Sequence, residues 1–340
     1  MSQTSSPPSS LPAFGTAFGE TMSVARWAGG EWSPPGLQAV APLPFHPASH
    51  VLHYGSSCFE GLKAHRGADG VVRAFRLDRH VARLRASADR MCLPVPPFDL
   101  AEQMIVETVG ANLDAVPDSP GSLYLRPTLV GTEPNVGAAG SPTSEALLFV
   151  LSSPVGDYFA GGISPLRIAV ETKRPRTTPQ FGSVKTGANY AMALSVTMEA
   201  RSRFDVDQVM FAPDGVLQET GASNVMLVEE GRIVTPALDG SFLEGITRDS
   251  LLTLAADEGM EVDERRVTID EVLEWCRRGE IALSGTAAVL APVGTLVVDG
   301  ETVPVGDGAS APVTLRLREM LVATQTGRRP DRHGWTRPVG

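Results

Sequence analysis

Only three of the 29 basic residues in this chain are lysines, Lys63, Lys173 and Lys185; all the others are arginines. An amine that can lose its proton and attack a carbonyl is what Schiff-base chemistry requires, and a guanidinium cannot supply it. The three lysines are therefore a short list of candidate nucleophiles, and their surroundings separate them. Lys63 lies mid-strand in FEGLKAHRG, beside a turn. Lys173 sits among arginines in a polar loop, where an amine stays protonated and solvated. Lys185 lies in FGSVKTGANYA, between Gly182 and Gly187 and just ahead of a predicted helix, with Tyr190 able to reach the same space. Glycines let a bulky ligand come close to the backbone, so Lys185 is the candidate.

A Schiff-base lysine implies either a carbonyl substrate or pyridoxal phosphate. Pyridoxal phosphate also needs an acid beside its ring nitrogen, a phosphate site and a grip on an amino-acid carboxylate. Glu219, in LQETGASN, follows a strand and can hold a proton at a pyridine nitrogen. Gly245, Ile246 and Thr247 open a helix, whose free N–H groups suit a phosphate. The small-residue loop Ser284 to Ala288 offers further amides and a hydroxyl. Singly these are ordinary features: a threonine at a helix start is usually just a cap.

The elements that must position these residues follow from periodicity. Residues 37–75 have a strand-like pattern, with SHVLHYGSSCFEGLKAHRG turning at Gly67–Gly70 into VVRAFRL. Val81, Leu84, Ala88 and Met91 mark a helix with Asp78 as its N-cap, and Leu100, Met104, Ile105 and Val109 a second. SLYLRPTLVG and EALLFVLSSPV are buried strands. Further on come the strand LRIAVET, a helix from Tyr190 to about Arg203 capped by Asn189, two hairpins, a helix from Ile246 to Gly259, the helix IDEVLEWCRRG and a strand–loop–strand over residues 280–300. The expected layout is a Ser/Pro-rich disordered tail over 1–20, a small α+β domain over 21–155, a Gly-rich linker over 156–163 and a larger α/β domain over 164–340.

Length and composition bound the rest. At 340 residues, 42% hydrophobic and 20% charged, two cored domains are expected. The net charge of −10 argues against nucleic acid as a partner. The longest apolar runs, such as Ala146 to Leu151, fall far short of the ~20 residues of a membrane helix. Cys58, Cys92 and Cys276 are too few for a disulfide framework, and the expected setting is the cytoplasm. His50 and His53 have metal-like spacing but no acidic or thiol partner nearby, so no metal is expected. No dinucleotide, Walker, zincin or nucleophile-elbow motif occurs.

Together the motifs resemble the branched-chain-amino-acid aminotransferases of the fold-type-IV pyridoxal-phosphate class, from about Trp27 to Pro338. VLHYGSSCFEGLKAHRG, LYLRPTLVGTEPNVG, VKTGANYA, the stretch from ETGASN to LEGITR, and SGTAAVLAPVG follow the family's order. The resemblance implies a two-domain fold whose larger domain carries a pseudo-barrel sheet, and a homodimer whose active site borrows loops from the second subunit. It implies that Lys185 binds pyridoxal 5'-phosphate covalently and shuttles the α-proton, that Glu219 faces the ring nitrogen and that Tyr190 faces the phenolic oxygen. Arg83, Ile246, Thr247 and Thr286 match the phosphate contacts. Tyr124, Ala287 and Ala288 match the α-carboxylate grip, Arg126 the arginine for glutamate's second carboxylate, and Tyr54 and Phe59 the walls of the side-chain pocket.

The implied reaction exchanges the amino group between L-leucine, isoleucine or valine and 2-oxoglutarate, giving branched-chain 2-oxo acids and L-glutamate. A broader, aromatic or D-amino-acid aminotransferase, an aminodeoxychorismate lyase, and a non-catalytic cofactor binder are the rival readings. The chain departs from the family pattern in TTPQFGSV, before the lysine, in Met226, and in Ala288 and Ala291, which occupy the places of a redox cysteine pair. Val136, Ala138 and Ala222 are small where the family often has larger residues, so a wider side-chain pocket is expected.

Overall fold

Runs of buried apolar residues make Ser122–Gly131 and Ala146–Val155 long strands, and the two pair antiparallel along their whole length. They form the centre of a nine-stranded sheet in the order Thr336–Val339, Val72–Phe75, Leu62–Arg66, Ser122–Gly131, Ala146–Val155, Thr21–Ala28, Glu31–Trp32. Gly36–Ala39 adds to Thr21–Ala28, and Ser57–Phe59 adds to Ser122–Gly131. An eight-stranded mixed sheet follows, with Leu166–Glu171, Gln208–Phe211, Asn224–Glu229, Arg232–Pro236, Glu261–Arg265, Glu280–Gly285, Val289–Val298 and Glu301–Pro304. The computed structural model describes residues 14–156 and 164–339. Nearly all of the expected linker, and residues 1–13 of the expected tail, lie outside the described residues.

The first sheet buries one face under the helices Leu77–Arg90 and Phe98–Gly110. Leu62, Ala64, Leu123, Leu125, Val81, Leu84, Met104, Ile105 and Val109 share that core. The pairs Phe59↔Thr128, Leu62↔Leu125 and Lys63↔Tyr124 lie in one unbroken register. Side chains alternate along a strand, so Phe59, Gly61 and Lys63 share a face with Tyr124 and Arg126. Glu60 points the other way, under the Leu77–Arg90 helix.

Several elements differ from the sequence reading. His50–Tyr54 is a short helix, not a strand; it ends on Gly55, whose φ of 63° is left-handed, as helix ends favour. Asp78 lies inside the first turn of its helix, and the cap is Arg76 at φ 51°. A tertiary anchor overrides local preference there, since Arg76 donates to Asp249 Oδ2 at 2.6 Å and Ser250 Oγ at 2.8 Å. Asn189 does not cap Gly187–Phe204; Thr186 does, accepting from the Ala188 amide. Asn189 is instead buried and donates to the carbonyls of Phe181 and Val184. Thr336–Val339 returns to pair with Val72–Phe75 of the first sheet. Of the expected tail, Ala17 accepts from Ser153 Oγ and Gly19 donates to Ser152.

Candidate active site

Lys185 sits where the two sheets meet. Its carbonyl accepts from the Phe59 amide at 3.0 Å, its amide donates to Ser87 Oγ at 3.1 Å, and the next residue, Thr186, donates its hydroxyl to the Ser57 carbonyl at 2.7 Å. The lysine backbone is thus fastened to a strand and a helix of the first unit. Its half-buried side chain donates from Nζ to the Tyr190 hydroxyl at 3.2 Å and lies 5.3 Å from the centre of the Phe59 ring. Tyr190 is one turn along the helix that Thr186 caps, which puts amine and phenol side by side. Phe59 packs on Tyr190 with ring centres 5.4 Å apart.

Glu219 forms the floor at one end. It is 2% exposed and receives a contact of 2.6 Å from Arg176 Nη1, with longer bonds from the Leu243 amide (3.2 Å) and Asn224 Nδ2 (3.4 Å). Burial pushes its acid constant up to about 7; Arg176 and the Leu243 amide pull the other way and do not cancel it. Arg176 is itself 2% exposed, bonds Gly221 through Nε and lies over the Tyr190 ring at 5.5 Å. Nothing in the sequence singles it out from the neighbouring arginines of its loop.

Arg83 stands at the other end. Its Nη1 donates to the Glu244 carbonyl at 2.7 Å, directly before Gly245, Ile246 and Thr247 at the start of the Ile246–Asp257 helix. Gly245 is required there, because a Cβ would meet Asn224 Oδ1 at 1.9 Å. Ile246 and Arg83 line one cavity of about 390 Å³ with Val184 and Glu244. Behind Arg83 is Glu60, another residue without a role in the sequence reading. It accepts from Arg83 Nε at 2.7 Å and Nη2 at 3.0 Å, and from His80 Nδ1 at 2.6 Å. Burial would raise its acid constant, but Arg83 and His80 together hold it far below the usual carboxylate range. Burial lowers His80, and because the Glu60 carboxylate can only accept, His80 Nδ1 donates to it.

The third corner joins Tyr124, Arg126 and the Thr286–Ala288 loop. Arg126 Nη2 donates to the Tyr124 hydroxyl at 2.7 Å, and its guanidinium covers the Phe59 ring at 4.6 Å. Gly61 makes this possible: a Cβ there would lie 2.1 Å from the Tyr124 hydroxyl. Burial raises the Tyr124 phenol, which stays a hydrogen-bond donor. Lys63, opposite Tyr124 in register, donates to the Ala287 carbonyl at 2.8 Å and so ties the loop to the strand. The loop ends on Val289, whose φ of 64° is a costly conformation for a β-branched residue. Phe14 packs edge-on against Tyr124, 4.9 Å between ring centres.

Contacts thus link Lys185 with Tyr190 and Phe59, Phe59 with Arg126 and Tyr124, and Arg83 with the helix that Ile246 and Thr247 open, while Thr286 and Ala288 flank Ala287 in the loop that Lys63 holds. Tyr54 does not join them within this chain. It bonds the Val136 carbonyl and packs on His50 and His53, and His50 bonds the buried Ala138, so Tyr54, Val136 and Ala138 form a cluster of their own. Ala222 is exposed and shares a cavity of about 370 Å³ with Tyr190. His50 bonds Ser56, Ala138 and Ser141, and no metal-holding group of three or more such side chains occurs among the described residues. No helix among them is long and apolar enough to cross a membrane.

The family model for amino-transferase class IV matches residues 57–296. A probable branched-chain-amino-acid aminotransferase of Streptomyces coelicolor is 41% identical over 95% of this chain and 91% of its own length. The branched-chain-amino-acid aminotransferase 2 of Bacillus subtilis is 37% identical over 96% and 92%. The crystal structure of a T.th. branched-chain amino acid aminotransferase with pyridoxamine 5'-phosphate is similar at a TM-score of 0.77 and 30% identity, covering 93% of this chain and 98% of that one.

Proposed function

The chain belongs to the class IV aminotransferases, and from that premise we propose that it moves the amino group of L-leucine, isoleucine or valine to 2-oxoglutarate with pyridoxal 5'-phosphate as cofactor. The observation that carries the reading is the alignment of three unlike ends around one lysine: a buried carboxylate, a guanidinium at a helix start and a small-residue loop tied to the Lys63 strand. These residues fit the cofactor. Glu219 is the buried acid for the ring nitrogen, and Tyr190 faces the phenolic oxygen. Arg83, Ile246, Thr247 and Thr286 hold the phosphate at a helix N-terminus, where the free amides and the helix dipole favour an anion.

When bound, pyridoxal phosphate supplies an electron sink that lets the α-carbon give up its proton. Lys185 takes that proton and returns it, and Tyr190, 3.2 Å away, keeps the amine in place between the two events. Tyr124 and the amides of Ala287 and Ala288 hold the α-carboxylate. The Phe59 wall receives the branched side chain, and Arg126 receives the second carboxylate of glutamate. Glu219 holds a proton at the ring nitrogen through the cycle.

A homodimer belongs to the same reading. Tyr54 and the Val136–Ala138 segment stand apart from Lys185 of their own chain, which suits residues that enter the site of a second subunit. The small Val136, Ala138 and Ala222 then leave a side-chain pocket wide enough for acids larger than the valine type. A cytoplasmic setting suits the three free cysteines. The test is glutamate formation from 2-oxoglutarate with both enantiomers of leucine, isoleucine and valine. Turnover of the L forms is expected; preference for the D forms, or none at all, overturns the assignment. Strict preference for valine-sized 2-oxo acids in the reverse direction would remove the wide pocket.

A further inference from the structure

Glu60 is fully buried and follows the strand Ser57–Phe59 directly, pointing to the helix-covered side while Phe59 faces the site. A carboxylate in that core is costly unless its oxygens are met, and here they accept from four N–H groups, on Arg83 Nε, Arg83 Nη2, His80 Nδ1 and the Gly61 amide. His80 and Arg83 are three apart on one helix, so they present to Glu60 side by side. The pair of bonds from Arg83 is a fork, which fixes the plane of the guanidinium as well as its place. A third N–H of Arg83 goes to the Glu244 carbonyl. An arginine carries five N–H groups, so two remain, on Nη1 and Nη2. The one on Nη2 lies on the edge away from Nε, because the fork uses the other, and the bond to Glu244 sets the guanidinium beside the start of the Ile246–Asp257 helix.

We propose that Glu60 is a positioning residue for phosphate recognition: it holds Arg83 from behind so that this outer edge meets the cofactor's phosphate in a fixed orientation. His80 locks Glu60 in turn. Because Arg83 comes from the first unit and Glu244 from the second, the same bonds join the two halves of the phosphate cradle before any ligand arrives. This rests on the reading that Arg83 takes the phosphate.

The test compares the binding of pyridoxal phosphate with that of pyridoxal, which lacks the phosphate, by absorbance titration of protein freed of cofactor. The ratio of the two constants isolates the phosphate arm, whereas general damage to the site weakens both ligands alike. Glu60→Gln keeps the shape but turns one acceptor into a donor facing the guanidinium. The ratio is expected to fall by about tenfold or more, the range for a charge-assisted bond. Glu60→Asp keeps the charge but shortens the reach, and it is expected to fall between wild type and Glu60→Gln; it alone decides if Glu60→Gln does not fold. Arg83→Gln must collapse the ratio. If it does so while the folded Glu60 variants match wild type, the positioning role is wrong and the phosphate assignment stands. If Arg83→Gln leaves the ratio intact, the assignment of Arg83 itself fails, and the positioning role with it.

Discussion

Two buried glutamate–arginine pairs face the same lysine site, and they are built to opposite ends. Glu60 has both oxygens engaged by Arg83, with a third bond from His80, and stays ionised far below the usual carboxylate range. Glu219 has one close contact, to Arg176, with two bonds beyond 3.1 Å, and burial leaves it near 7. A carboxylate that many donors satisfy is an anchor. One that is under-satisfied keeps an acceptor for a further charged donor, and a protonated ring nitrogen would be that donor. Burial alone therefore does not tell structure from chemistry; how closely the donors engage the carboxylate does.

Four measurements put that contrast at risk. The largest effect is expected at the chemical end, where Lys185→Ala should cut transamination by about ten-thousand-fold or more, the scale of lost acid–base catalysis. Its melting temperature should stay within a few degrees of wild type; a large drop would make Lys185 an anchor too. At the other end, Glu60→Gln removes the charge that Arg83 and His80 share and turns one of its two acceptors into a donor. Urea unfolding should show a loss of about 3–5 kcal/mol, as when one partner of a buried pair is removed. The same test on Glu219→Gln should give a smaller loss, because it removes an anion that burial already disfavours while the amide oxygen still accepts from the buried Arg176.

Substrate choice comes next. Arg126→Leu should raise KM for 2-oxoglutarate by about 10–100-fold, while leucine binding changes less. Equal losses for both substrates would instead make Arg126 a support for Tyr124, which it bonds at 2.7 Å. The last contrast is in pH. The folded-state constant of Glu219 lies above the unfolded value, so its contribution to stability is full below about 4.5 and is lost as pH rises through about 7. The Glu60 constant is depressed, so its contribution is present above about 4.5 and is lost as pH falls below that value. Cofactor-free Glu219→Gln should therefore lack the decline toward pH 7–8 that the parent shows, with no change at acid pH.

Much of this was legible before any coordinates. Lysine scarcity and the glycine-flanked FGSVKTGANYA placed Lys185, and strand and helix periodicity placed most of the elements around it. The anchors were less visible because their partners are far apart in sequence. Arg176 reaches Glu219 across 43 positions, in a loop with no period. Glu60 stands in an apolar strand with only the spacing of His80 and Arg83 as a signal. The caps failed for a similar reason: Arg76 is held by Asp249, and local preference at Asp78 could not foresee it. The helix Pro312–Gln325 is a different kind of miss, since buried Val313, Leu317, Leu321 and Thr324 recur at helical spacing and were readable. Tyr54 stands apart from Lys185, and under the proposed dimer that separation follows because one chain does not hold its whole pocket.

The central claim, that one of three lysines carries the chemistry, has a direct measurement. The protein saturated with pyridoxal phosphate is reduced with borohydride, digested and sequenced by mass spectrometry, which reports where the cofactor is fixed. The account predicts a single modified lysine, Lys185. Label on Lys63 or Lys173, or no label at all, would contradict it.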